Sequence, residues 1–248
     1  MTAPGDIGNS PIKRAVEDAR FRVKLRGELM DAHFVRRLNR FAAMVETDGH
    51  VVPAHLPNSG RMRELLVPGA VALLAARSGP RKTAYDLLMV RHGALWVGVD
   101  SRLPARLLME ALASGLTDLG PFDSIRREVP YGESRLDLLG IGPDGPCLIE
   151  TKSVNLVQGG VALFPDAPTL RGTRHLLELR RAAESGHRAA VVFVVQRSDA
   201  LSFQPFEAAD PLFAATLREV VGAIDVLAYC CEVSRGEICI SRPIPVEL

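Results

Sequence analysis

The chain has 248 residues, enough for one large domain or two smaller ones. Its 47% hydrophobic and 24% charged content is ordinary for a folded protein and excludes a disordered one. The longest uninterrupted apolar runs, residues 70–76 and 189–195, fall far short of the roughly 20 residues that cross a bilayer, so no membrane span is expected. Net charge is only +1 but uneven: the first hundred residues carry 15 basic and 10 acidic side chains, the remainder 15 and 19. A basic half beside an acidic half suggests a division between phosphate attraction and chemistry.

Residues 1–28 read as an extension, loose at first and helical over 12–27. Residues 1–10 are polar, without an apolar signal-peptide core, so a cytoplasmic protein is expected. From residue 33 to 99 short strands alternate with breakers. Strands are expected over 34–45, 51–54, 61–66, 70–76 and 85–90, with turns at Thr47-Asp48-Gly49, Pro57-Asn58-Ser59-Gly60 and Pro68-Gly69. Turn signals at this spacing indicate a small β-barrel.

The second half has longer elements. A helix over 104–113 begins at Pro104 and precedes Gly115, and strands follow over 124–131, 135–141 and 147–153. The last two are joined by the turn Gly142-Pro143-Asp144-Gly145. A long loop over 154–169 leads to a helix over 170–184, a buried strand over 189–196, a helix over 211–221 and a strand over 224–233. This succession is an α/β core. Cys147, Cys230, Cys231 and Cys239 lack C-x-x-C spacing and read as reduced core thiols. The six histidines lack the i, i+4 spacing of a helical metal site.

The chemistry concentrates in two strands. Asp137 interrupts a leucine run, and Glu150 and Lys152, two apart, share one face of the next strand. A two-residue Pro143-Asp144 loop sets Asp137 opposite Glu150 and Arg135 opposite Lys152; a bulged loop would shift the register by one. Two carboxylates brought together repel unless a cation or shared proton compensates. Mg²⁺ takes one or two carboxylates, several waters and the phosphate oxygens of a substrate, and a lysine beside it can assist an attacking water. Asp137, Glu150 and Lys152 therefore suffice for phosphodiester hydrolysis, with an internal ion network, Lys152 neutralising Glu150, as the plainer alternative.

Several ordered segments carry a resemblance: FVRRLNRF over 34–41, PNSGRM over 57–62, Pro68-Gly69, Arg81-Lys82-Thr83, EVPYGESRLD over 128–137, CLIETKS over 147–153, FPDAPTLRG over 164–172, His175-Leu176 and the last six residues. From about residue 32 to its end the chain resembles the sugar fermentation stimulation protein (SfsA) family. The resemblance implies an α/β protein with a β part: an N-terminal OB-like barrel over 29–94 and a PD-(D/E)XK restriction-endonuclease-like domain over 95–248. It also implies DNA binding and a link to sugar (maltose) metabolism. Asp137, Glu150 and Lys152 fall where that nuclease fold carries its acidic pair and lysine. The expected activity is thus that of a deoxyribonuclease, with Mg²⁺ or Mn²⁺ held by Asp137 and Glu150; a non-catalytic DNA-binding regulator on the same scaffold is the alternative. Two departures stand out. Thr151 occupies a position usually held by valine, a change expected to be tolerated because the side chain faces away, and residues 100–106 (DSRLPAR) lack the family's asparagines. Residues 1–28 have no counterpart.

The expected partner is DNA, gripped through its phosphates, with assembly into homo-oligomers left open. Arg36, Arg37, Arg40, Asn58, Arg61 and Arg63, with Arg81 and Lys82, are the candidate contacts of the barrel. Arg171, Arg174 and His175 sit in the first turns of a helix, where cations oppose the dipole, which points to phosphate binding or an ion pair with Asp166. Glu128 and Glu133 precede the catalytic strand as further carboxylates near it. Aromatic content is 5%, with Phe34, Phe41, Tyr85 and Trp96 in the barrel half, so phosphate contact is expected rather than base stacking. Such non-specific binding has a Kd on the order of 10⁻⁴–10⁻⁶ M at physiological salt.

Overall fold

The computed structural model describes residues 22–80 and 82–248. The chain enters as β1 (Val23–Lys24) and then builds β2 (Leu29–Asn39), β3 (Ala42–Thr47), β4 (His50–His55), β5 (Val71–Ala76), β6 (Tyr85–His92) and β7 (Leu95–Gly98). Antiparallel pairing joins β2 to β3, β3 to β4, β2 to β5 and β5 to β6, and a parallel pairing of β4 with β6 closes the five-stranded barrel. Alternate side chains, among them Phe34, Val45, Leu56, Leu74 and Leu87, fill its interior. The β3–β4 hairpin turns on Asp48 and Gly49, both at positive φ, the primed-turn geometry whose twist matches the flanking strands.

Three expectations for this half are corrected. The strand expected over 34–45 is two strands, because the chain turns at Arg40–Phe41 with Asn39 Oδ1 accepting the Phe41 N–H at 2.8 Å. Neither Gly nor Pro marks that turn. Residues 61–66 are turns, not a strand, with the Leu65 and Leu66 N–H groups both on Met62 O. The helix expected over 12–27 lies mostly outside the described residues, and its end is β1, an edge strand.

The second half contains α1 (Pro104–Ala113), β8 (Ser124–Tyr131), β9 (Ser134–Gly142), β10 (Gly145–Val154), β11 (Leu156–Gln158), β12 (Val161–Phe164), α2 (Leu170–Glu184), β13 (Arg188–Val195), β14 (Ser202–Pro205), α3 (Pro211–Val220), β15 (Asp225–Ser234) and β16 (Glu237–Pro243). A seven-stranded sheet runs β1-β16-β15-β13-β10-β9-β8, with β10, β13 and β15 parallel. Strand β13 shows how the core is divided. Ala190, Val192 and Val194 face α1, and Val191, Phe193 and Val195 face α2 and α3. A strand buried on both faces reads as a continuous apolar run, as this one does. The loop expected over 154–169 contains the β11–β12 hairpin, which pairs with β14 in a second small sheet.

Buried side-chain amides join the two halves. Asn58 Nδ2 donates to Val99 O and to Asn155 Oδ1, both at 3.0 Å, while Asn58 Oδ1 accepts the Gly60 N–H at 2.8 Å. Asn155 Nδ2 returns to Gly98 O, and Gln196 Nε2 bonds Asp100 O and Ser153 Oγ. Asp100, in the segment that departs from the family pattern, is held by Arg102 through bonds of 2.8 and 2.7 Å. Asn58 and Asn155 are each 7% exposed, so these bonds are shielded from water.

Candidate active site

The β9–β10 hairpin has the register of a two-residue Pro143-Asp144 loop, Gly142 facing Gly145 and Leu138 facing Ile149. There the backbone ladder stops. One residue further, the Asp137 side chain replaces it: Asp137 Oδ2 accepts the Thr151 N–H at 2.8 Å and the Thr151 hydroxyl at 2.5 Å. The hydroxyl of Thr151 thus grips the first acid, correcting the expectation that this side chain faces away from the site and can be exchanged for valine without consequence. Strand divergence brings it within reach, and a valine there would leave Asp137 only the backbone donor.

Glu150 and Lys152 lie on the sheet face that meets α2. Lys152 Nζ donates to Glu150 Oε1 at 2.6 Å, and His175 Nδ1 bonds the same oxygen. Arg171 Nε donates to His175 Nε2 at 3.3 Å, which places the ring proton on Nδ1, donated to Glu150. His175 is therefore buried behind the acidic pair rather than presented to a phosphate, at 2% exposure. Burial acts to raise the Glu150 carboxyl, but Lys152 and His175 outweigh it and hold the group below the ordinary carboxylate value. Asp137 is displaced upward by burial and by the neighbouring charge of Glu150, with the Thr151 bonds partly offsetting. The environments of the two acids are pushed apart, as at sites of acid–base or metal chemistry.

Of the six buried side-chain polar atoms without a hydrogen-bond partner among the described residues, one belongs to this site: Glu150 Oε2. A carboxylate oxygen left this way is costly unless a cation meets it. With Asp137 lining the same cleft, it suits a hard divalent ion that takes two carboxylates and completes its shell with water and substrate oxygens. Among the described residues no three His, Cys, Asp or Glu side chains form an all-protein metal cage.

Asp137, Glu150 and Lys152 line a cleft of about 860 Å³ between barrel and α/β half. Arg40, Phe41 and residues 58–60 border it on one side, Arg127, Glu128 and residues 163–171 on the other. Asp166 fastens the two sides: its Oδ2 accepts the Met62 N–H at 2.9 Å. A Cβ on Gly60 would meet both Asp166 oxygens at 2.8 Å, so a larger residue there would displace the carboxylate from Met62. Gly60→Ala and Asp166→Ala are each expected to cost roughly 1–3 kcal/mol, the first by overpacking, the second by stripping Met62 of its acceptor. The double variant should cost clearly less than the two together in denaturant unfolding, because each acts on the same contact. Strict additivity would show that the two residues do not meet.

The other candidate DNA contacts divide. All five Arg37 donors are spent on carbonyls, those of Asn39, Arg40, Asn58, Gly60 and Arg61, so this residue shapes the 58–61 loop. Asn58 belongs to the buried junction. Arg36, Arg61 and Arg63 are exposed around a second groove of about 460 Å³ floored by Phe34, Leu66 and Pro68. Arg40 and Arg171 border the cleft, and Arg174 and Lys82 are exposed. Arg81 lies outside the described residues. Glu128, at positive φ in β8, lines the cleft and pairs loosely with Arg135 at 3.4 Å. Asp210 was not anticipated. It caps α3 through Phe213 N–H and also accepts the Thr169 N–H at 2.7 Å, anchoring the start of α2. The Asp210-Pro211 pair, an N-cap before a first-turn proline, was the available signal.

A closed five-stranded barrel with parallel closure, followed by an α/β domain with an acid-lined cleft between them, defines an OB domain joined to an α/β domain. Residues 35–99 match the model of the SfsA N-terminal OB domain, and residues 102–237 that of the sugar fermentation stimulation protein RE domain. The chain belongs to the sugar fermentation stimulation protein family. It is 45% identical to a homologue from Desulforamulus reducens over 89% of this chain and 93% of that one. A homologue from Moorella thermoacetica is 46% identical over 91% of this chain and all of that one. The structure of Pyrococcus furiosus SfsA in complex with Ca²⁺ superposes with a TM-score of 0.83 at 31% identity, covering 91% of this chain and all of that one. No helix among the described residues is long and apolar enough to cross a membrane.

Proposed function

We propose that the α/β half is a PD-(D/E)XK-type nuclease domain and that the protein binds DNA and cleaves its phosphodiester bonds with Mg²⁺ or Mn²⁺. The unpartnered, buried Glu150 Oε2 beside Asp137 carries this reading, because a pure DNA binder has no use for a naked carboxylate oxygen next to a second acid near phosphate. The Ca²⁺ complex of the Pyrococcus protein supports it, since Ca²⁺ and Mg²⁺ are both hard ions that seek oxygen ligands.

Asp137 and Glu150 would hold the ion. When bound, it would polarise the phosphate and lower the pKa of an attacking water. The Thr151 bonds aim Asp137, and the His175–Arg171 relay aims Glu150. Lys152, which donates to Glu150, would orient the nucleophile and offset negative charge gathering on the phosphoryl oxygens. Exposed arginines at the cleft and on the barrel would hold phosphates without reading bases.

The test is incubation of the protein with plasmid, linear duplex and single-stranded DNA in Mg²⁺, Mn²⁺ or EDTA. Cleavage should require metal and fall by roughly a hundredfold or more in Glu150→Gln and Lys152→Ala, with DNA retention at low salt preserved. Binding without cleavage under every metal condition would leave a DNA-binding regulator in which Lys152 merely neutralises Glu150. Absence of binding at low salt would overturn both.

A further inference from the structure

The acids lie at the bottom of the cleft, not on an open face. Glu150 is 4% exposed, and only 11% of the Lys152 side chain reaches solvent. The walls do not part freely, because the Asp166–Met62 and Asn58–Asn155 hydrogen bonds tie one to the other. Duplex DNA is stiff over about 150 base pairs and keeps its phosphates on the outside of a broad cylinder. An unpaired strand bends at every nucleotide and can follow a recessed channel.

The rim carries a second, independent sign. Among the described residues Phe41, at 50%, is the most exposed Phe, Tyr or Trp side chain, and Leu170, at 80%, is the most exposed large apolar one. Both border this cleft, Phe41 from the barrel and Leu170 from the start of α2, alongside Arg40, Arg127 and Arg171. Phe41 sits on the connection between the first two barrel strands, one of the loops by which OB folds hold oligonucleotides. Phosphate contacts alone would need only the arginines. An exposed ring among cations is the pairing that grips single strands, because every base offers a face to stack on.

We infer that this site takes its DNA as an unpaired strand, with a base stacked on Phe41 beside Leu170 and flanking phosphates held by Arg40, Arg127 and Arg171. The inference rests on the nuclease reading for what happens at the floor of the cleft, but not for binding. A duplex would enter through a frayed or unpaired end.

Fluorescence anisotropy tests it in EDTA at low salt, using a labelled single strand of about a dozen nucleotides and a blunt duplex of the same sequence. The single strand should bind about tenfold tighter or better. Phe41→Ala should weaken single-strand binding by about five- to 150-fold, the range found when one stacking partner is removed, with little change for the duplex. Phe41→Trp should keep single-strand affinity and lose indole emission as the strand binds, a signal weak in the parent protein, where Trp96 lies away from this rim. Equal affinity for the two forms, or a Phe41→Ala variant that binds single strands like the parent, would overturn the inference. Cleavage assays separate this failure from that of the nuclease reading. Metal-dependent cutting of blunt duplex with Phe41 silent would remove only the strand preference, whereas Phe41-dependent binding without cutting in any metal would remove only the chemistry.

Discussion

Asp137→Asn is expected to abolish activity while making the protein more stable. The carboxyl lies above its ordinary value because it is buried and because Glu150 stands beside it, with Thr151 compensating in part. When a folded carboxyl is raised in this way, its charged form penalises the native state. The penalty is absent below the ordinary carboxylate value and complete once the pH passes the raised folded value, so it is present at neutral pH. Asparagine removes the charge, keeps an oxygen for the Thr151 N–H and hydroxyl, and presents an amide donor toward the acidic neighbour. The gain should be on the order of 1 kcal/mol, a rise of about 2–4 °C in Tm near pH 7, shrinking as the pH falls into the carboxylate range. Metal-dependent cleavage, as proposed, should drop by at least about a hundredfold, since one of the two carboxylates proposed to hold the ion loses its charge. Thermal unfolding of both proteins across that pH range decides the matter. A variant less stable than the parent at neutral pH would mean that the pair is held favourably without an ion, contrary to the site proposed here.

Asn58→Ala should have the largest effect on stability. The side chain serves Val99 O, Asn155 Oδ1 and the Gly60 N–H, all within the junction, and truncation strands three polar groups at once. Each unsatisfied buried group costs about 1–3 kcal/mol, and partial relaxation should leave a net loss on the order of 3 kcal/mol in urea unfolding. The functional consequence is indirect. Residues 58–60 form one wall of the cleft, and misplacement of substrate by about an ångström can cost about a hundredfold in rate. The proposed cleavage should therefore fall by at least about tenfold, although Asp137 and Glu150 themselves are unchanged. Unchanged stability together with weakened DNA affinity would instead make Asn58 the phosphate contact that its motif suggested.

Legibility of the fold tracked how local its cause was. The helix bounds at Pro104, Leu170 and Pro211 were marked by Pro or Thr at their starts and by periodic apolar residues. The turn at residues 40–41 and the β11–β12 hairpin were missed, the first because its stabilising bond comes from the Asn39 side chain rather than from Gly or Pro. Strand β1 was hidden because two residues gain strand geometry only from a partner, Ile238 and Glu237, more than two hundred residues away.

The site divides in the same way. Local pattern alone brings Asp137, Glu150 and Lys152 together: strand alternation puts Glu150 and Lys152 on one face, and the Gly142-Pro143-Asp144-Gly145 turn sets their hairpin register, both short-range effects of backbone geometry. What each of them touches depends on packing between distant segments. Thr151 reaches Asp137 because two strands diverge, His175 reaches Glu150 because a helix packs over the sheet, and Arg37 and Asn58 turn inward because the loop beside them must be tied to the other domain. Those contacts span up to about a hundred residues of chain. A side chain's chemistry names the bonds it can make, but its partner is chosen by packing, which local pattern does not encode.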